Sequence, residues 1–130
     1  MSKKVALVGH CGPDSSFLRM AVSSADRSIK VLAADDSTEL DRVLADGVDL
    51  LLLNREMPYG FDASLGVDMI PTLRRHYPGV KIMLISNYAE AQAAAVAAGA
   101  LPGFGKREIG SPRVAELIRG ALHEAPSPTT

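Results

Sequence analysis

Asp49-Leu50-Leu51-Leu52-Leu53-Asn54-Arg55-Glu56-Met57-Pro58 is an apolar run cut short by an amide. Four consecutive leucines predict a buried strand over Asp49 to Leu53. Asn54 stands at its carboxyl end. In an open parallel sheet, that edge is where ligands bind and chemistry occurs. The side chain found there donates and accepts hydrogen bonds, but it is uncharged and a poor nucleophile.

Working outward, three more apolar runs of strand length appear: Val5 to Val8, Ile29 to Ala34 and Val80 to Ile85. Helical patterns separate them. Pro13-Asp14-Ser15-Ser16 carries helix-start chemistry, with Asp14 as the expected N-cap, and Phe17, Leu18, Ala21 and Val22 follow at helical spacing. Asp36 and Glu39 are spaced as a capping box before Leu40, Val43 and Leu44, and Gly47 marks the stop. A polar stretch from Tyr59 to Gly66 precedes a third helix bearing Val67, Ile70 and Leu73. Pro71 falls within it and predicts a late start or a kink. Ala89 to Ala98 is Ala-rich and helical by propensity, with Gly99 as its C-cap. Gly103 to Lys106 reads as a short fifth strand, and Ser111-Pro112 opens a last helix whose buried face is Val114, Leu117, Ile118, Ala121 and Leu122. The remainder, 124–130, is Pro/Ser/Thr-rich and reads as a flexible tail.

Strands alternating with helices predict an α/β fold, a doubly wound parallel sheet with helices on both faces. Its strand exits, Gly9-His10-Cys11, Asn54, Ser86-Asn87 and Lys106, then gather at one edge. The length of 130 residues suits a single domain, 4–123, and an apolar fraction of 47 % rules out a disordered chain. Fourteen basic against fifteen acidic residues give a net charge of −1, which speaks against nucleic acid as a partner. Cys11 is the only cysteine, so no internal disulfide forms, and a reducing, cytoplasmic setting is expected. No apolar stretch has the length of a signal peptide core or a membrane span, so no membrane partner is expected.

At these strand exits the chain resembles the receiver domain of bacterial two-component response regulators, from Lys4 to about Leu122. The matching segments are Asp49 to Pro58, Ile82-Met83-Leu84-Ile85-Ser86-Asn87-Tyr88, and Ala97-Ala98-Gly99-Ala100 leading to Lys106. The resemblance implies a flavodoxin-like five-stranded parallel sheet in the order 2-1-3-4-5. In active receivers, an acidic pair after the first strand and an Asp after the third hold Mg²⁺. That Asp accepts the phosphoryl group, and a Ser or Thr and a Lys contact the phosphoryl oxygens. Ser86 and Lys106 match the last two positions. Gly9 and His10 stand where the acidic pair belongs, and Asn54 where the phosphoacceptor belongs. Arg107 replaces a usual proline, Gly103 replaces a common aromatic switch residue with Phe104 beside it, and the Pro58 to Gly66 loop exceeds the family's usual spacing.

Mg²⁺ favours anionic oxygen, and phosphoryl transfer depends on metal and charge placement. The expectation is therefore a pseudo-receiver: the fold without aspartyl-phosphate chemistry, no metal, no cofactor and no catalytic residue. Lys106, without its usual carboxylate, either closes the pocket on Glu56 or joins His10 and Ser86 to hold an anion; the pairing with Glu56 is preferred. Asp14, Asp35 or Asp36 could stand in for a lost acid, although Asp14 and Asp36 are better explained as caps. A nucleophilic or metal-binding role for His10 with Cys11 is disfavoured, because neighbours on an extended chain point opposite ways and His76 and His123 fall on helix ends. By resemblance, Ala89–Ala98, Gly103–Lys106 and Ser111–Leu122 form the expected partner or homodimer face. No output domain follows within the sequence, so action on a protein partner in trans is expected unless the chain is excised from a longer protein. A small-ligand or anion sensor, or an enzyme, using the strand-edge pocket is the alternative.

Overall fold

A computed structural model describes residues 3–123; the tail expected at 124–130 lies outside them. Five strands alternate with five helices: β1 Lys4–Val8, α1 Gly12–Ala25, β2 Lys30–Ala34, α2 Ser37–Asp46, β3 Leu50–Asn54, α3 Gly66–His76, β4 Lys81–Ile85, α4 Ala89–Ala98, β5 Leu101–Phe104 and α5 Pro112–His123, with a 3₁₀ turn over Lys106–Glu108 before α5. All pairings are parallel, in the order β2-β1-β3-β4-β5. This is the flavodoxin-like arrangement expected from the sequence.

The leucine run explains the layering. Successive side chains on a strand point to opposite faces. Leu51 and Leu53 therefore join Ala6, Val8, Ile82 and Leu84 under α2, α3 and α4, where Leu40, Ile70 and Ala95 close the core. Leu50 and Leu52 join Val5, Leu7, Met83 and Ile85 under α1 and α5, against Leu18, Val22, Val114 and Ile118. A strand covered on both faces needs no polar alternation, and β3 has none until Asn54. Asn54 pairs in register with Ile85, the last residue of β4, so the exits of β3 and β4 end level.

Several local expectations hold. Asp36 caps α2, its carboxylate accepting the Glu39 N–H at 2.8 Å. Glu39 answers one residue upstream of the usual box, accepting the Asp35 N–H at 2.7 Å. Gly99 adopts the left-handed C-cap of α4, and Pro112 opens α5. Others need correction. Helix α1 begins at Gly12 behind Cys11, and Asp14 lies inside its first turn rather than capping it. Helix α3 starts at Gly66 and runs through Pro71, so the proline does not delay it. The fifth strand is Leu101–Phe104, not 103–106, and Lys106 belongs to the 3₁₀ turn. Pro102 falls inside this strand, and β5 is an edge strand, where a missing N–H is tolerated.

Candidate functional site

The order of strands reverses around β1, which lies between β2 and β3, and chemistry in such sheets belongs at the carboxyl edge beside that reversal. Gly9 leaves β1 with φ of 76°, a left-handed conformation suited to glycine, and its N–H donates to the Ala34 carbonyl at 3.0 Å. A Cβ built on Gly9 would lie 2.7 Å from Met57 Sδ and 3.2 Å from Pro58 Cδ. Met57 is buried and fills the space that a side chain at position 9 would occupy.

Asn54 spans the same gap from the other side. Its Nδ2 donates to the Gly9 carbonyl at 3.1 Å and to the Glu56 carbonyl at 2.9 Å. Both amide hydrogens thereby tie the β1 exit to the turn after β3. A carboxylate has no hydrogen to donate and would place its charge against two carbonyl oxygens.

His10 turns inward. It is 7 % exposed, and its Nε2 donates to the Leu52 carbonyl at 2.8 Å, which fixes the tautomer. Nδ1 is buried without a hydrogen-bond partner among the described residues. Burial pushes the imidazole pKa below its ordinary value, against the Leu52 hydrogen bond, and the Lys106 charge pushes the same way as burial. Cys11 points outward and is exposed, so the two neighbours diverge as the extended chain requires.

Lys106 pairs with Asp14, not with Glu56. Its Nζ lies 2.6 Å from Asp14 Oδ2, whereas Glu56 meets Arg55 at 3.5 Å. The hydrogen bond from Lys106 holds the Asp14 carboxyl below the usual carboxylate range. The reason is the early start of α1, which brings its first turn over the sheet edge and leaves Asp14 free of capping. Ser86 is buried, and its Oγ accepts the Tyr88 N–H at 3.1 Å. Asn87 Oδ1 accepts the Arg107 N–H at 3.1 Å, joining the exits of β4 and β5.

Of the expected site residues, Asn54, Glu56, Ser86 and Lys106 line one cleft of about 160 Å³, together with Arg55, Asn87 and Tyr88. Gly9 and His10 do not line it. Among the described residues, no three His, Cys, Asp or Glu side chains are grouped to hold a metal ion.

Sequence reasoning missed the part played by Gln92. This side chain of α4 enters the join between β4 and β5, where the register shifts between Met83 and Ile85. Its Nε2 donates to the carbonyls of Leu84 at 2.8 Å, Ser86 at 3.1 Å and Phe104 at 3.4 Å, and its Oε1 accepts the Gly103 N–H at 3.1 Å. Gly103 must stay bare, since a Cβ there would collide with the Leu84 carbonyl oxygen. Phe104 does not substitute for an aromatic on this face: it is 1 % exposed and packed in the opposite core, under α1 and α5. A glycine opposite an amide was the available signal, but an amide on a helix usually reads as solvated.

Beside this join, a groove of about 770 Å³ runs along α4, β5 and the start of α5, past Gln92, Val96, Pro102 and Gly103, with Arg107, Glu108 and Arg113 at its rim. Among the described residues, no helix is long and apolar enough to cross a membrane.

No family model matches the chain, and no curated protein matches it. Solved structures do. The non-phosphorylated receiver domain of the stress response regulator RcsB from Escherichia coli aligns with a TM-score of 0.72 at 20 % identity, over 92 % of this chain and 95 % of that one. The signal receiver domain of an HD domain-containing protein from Pseudomonas fluorescens gives 0.76 at 19 % identity, over 93 % and 87 %. The beryllofluoride-activated NtrC4 receiver domain dimer gives 0.72 at 18 % identity, over 93 % and 97 %. The fold of this chain is the fold of response-regulator receiver domains.

Proposed function

We propose that the chain is a pseudo-receiver that signals through protein–protein contact without phosphorylation at position 54. The observation that carries this reading is the Asn54 amide, whose two hydrogens are committed to the carbonyls of Gly9 and Glu56. The residue is built in as a cross-link, in the place where a nucleophile would stand. The neighbouring positions support the reading. Met57 fills the space beside Gly9, His10 is directed at Leu52, and Asp14 already serves Lys106.

Mg²⁺ does not suit this donor set. A hard cation takes carboxylate oxygens, and here Asp14 is held by the Lys106 ammonium at 2.6 Å while Glu56 lies against Arg55 at 3.5 Å. Anion capture by Lys106, His10 and Ser86 is less well supported, because the three polar groups already face Asp14, Leu52 and Tyr88.

The contact surface in this reading is the α4–β5–α5 face, where the 770 Å³ groove lies. A second copy of the chain or a different protein would seat there. Exposure to acetyl phosphate and Mg²⁺, followed by intact-mass measurement, tests the chemistry. The expected result is no phosphoryl adduct on the wild type, and none on Asn54→Asp. A stable adduct on the wild type would sink the proposal.

A further inference from the structure

Helix α2 packs on β2, while α3 packs on β4 and α4, and the two helices leave a furrow of about 510 Å³ between them. Its floor is apolar, built from Leu40 of α2 with Met69 and Leu73 of α3. Asp41 of α2, Asp62 of the β3–α3 loop and Asp68 of α3 stand around it, all exposed. No Lys or Arg is in the lining, and His76 is its one basic side chain against the three carboxylates. Among the described residues, none of these three carboxylates has a side-chain hydrogen-bond or ion-pair partner. The loop that walls one end is held in place, since the Ser37 N–H donates to the Gly60 carbonyl at 3.0 Å.

An apolar floor between two helices favours an apolar body, and carboxylates of one sign around it favour cations. Helices α2 and α3 have 10 and 11 residues. At about 1.5 Å of rise per residue, the furrow is long enough for two to three turns of a third helix. We propose that this furrow docks a short basic amphipathic helix from a partner protein. Its apolar anchors lie on Leu40, Met69 and Leu73, and its Lys or Arg flanks face Asp41, Asp62 and Asp68. The surface is separate from the α4–β5–α5 face, so either assignment can fail without the other.

The test is a titration of the isotope-labelled full chain, read by amide chemical shifts. The probe is a synthetic helix of about three turns, with leucine anchors at helical spacing and lysine flanks. Twins carry glutamate flanks, or serine in place of leucine. Saturable shifts confined to α2, α3 and residues 61–63 are expected. The lysine-flanked probe should bind about tenfold more tightly than its glutamate twin, as modest rim ion pairs add up. Asp62→Lys with Asp68→Lys, both on exposed positions, should reverse that preference. The proposal is overturned by shifts scattered over the acidic surface, by equal binding of the serine twin, or by an unchanged preference in the double variant. Confined shifts from a small diamine with none from any helix would also overturn it, reassigning the furrow to a free organic cation.

Discussion

Asn54 Nδ2 donates to the Gly9 carbonyl at 3.1 Å, so the position read as a lost phosphoacceptor is a brace between two strand exits. The second hydrogen of the same amide holds the turn at Glu56. The substitution that would restore the expected carboxylate therefore removes both bonds. Asn54→Asp is expected to lower stability by about 1–2 kcal/mol at neutral pH, the scale of losing one part-buried and one exposed hydrogen bond. Urea unfolding at neutral and acidic pH checks this. The deficit should shrink toward acid, where a protonated carboxyl regains one donor. An equally stable variant at neutral pH would remove the brace from the account.

His10 should make stability depend on pH. Burial lowers its pKa in the folded state from the ordinary 6.5, so the native protein holds the imidazole neutral. The unfolded chain takes up a proton first as pH falls. Stability is then complete above the unfolded pKa and is lost as pH drops below it, toward the folded value. Unfolding midpoints should therefore decline as pH falls below 6.5. His10→Gln keeps an N–H for the Leu52 carbonyl and should flatten that decline. An identical decline in the variant would place its origin elsewhere.

Gln92 should matter more than its place on an exposed-looking helix suggests. Gln92→Ala removes the side-chain partner of the Gly103 N–H and the amide donor to the Leu84 and Ser86 carbonyls, while the Phe104 carbonyl keeps the Ser86 N–H, and a cost of about 1–3 kcal/mol is expected. Amide exchange at Gly103 should accelerate in the same variant. Gly103→Ala should cost about as much, or more, through overpacking against the Leu84 carbonyl. Unchanged exchange at Gly103 in Gln92→Ala would argue against the latch.

Lys106 should matter less. Its bond to Asp14 joins two side chains that are 37 % and 24 % exposed, so screening by water and salt limits it. Lys106→Met is expected to change stability by less than about 1 kcal/mol. A larger loss, read by denaturant titration, would mean that the pair organises the start of α1.

The layered sheet was legible because its signals are local. Apolar runs of strand length, capping chemistry at Asp36 and stops at Gly47 and Gly99 depend on neighbours in sequence. The site was legible only as a set of positions. Asn54, Ser86 and Lys106 were found by where strands end, and they do meet around one cleft. Their partners were not legible. Lys106 was expected on Glu56 because both sit at strand exits, but the first turn of α1 brings Asp14 closer. Met57 reads as an ordinary core residue, and only the path of the chain places its sulfur over Gly9. Gln92 serves two strands from a helix, a relationship that no periodicity records. The fifth strand was misplaced by two residues because Leu101-Pro102-Gly103-Phe104 carries no alternation or apolar run to mark it, and an edge strand tolerates its proline.

That edge has a consequence for assembly. β5 is only four residues long, Leu101–Phe104, and Pro102 brings no N–H to it. An incoming strand would meet a gap in the donor row, so the sheet cannot be continued neatly from one molecule into the next. Any association along this side would then rest on side chains lying across the helices rather than on shared backbone ladders, and the hazard of fibrous growth that a merged sheet carries is removed at this edge.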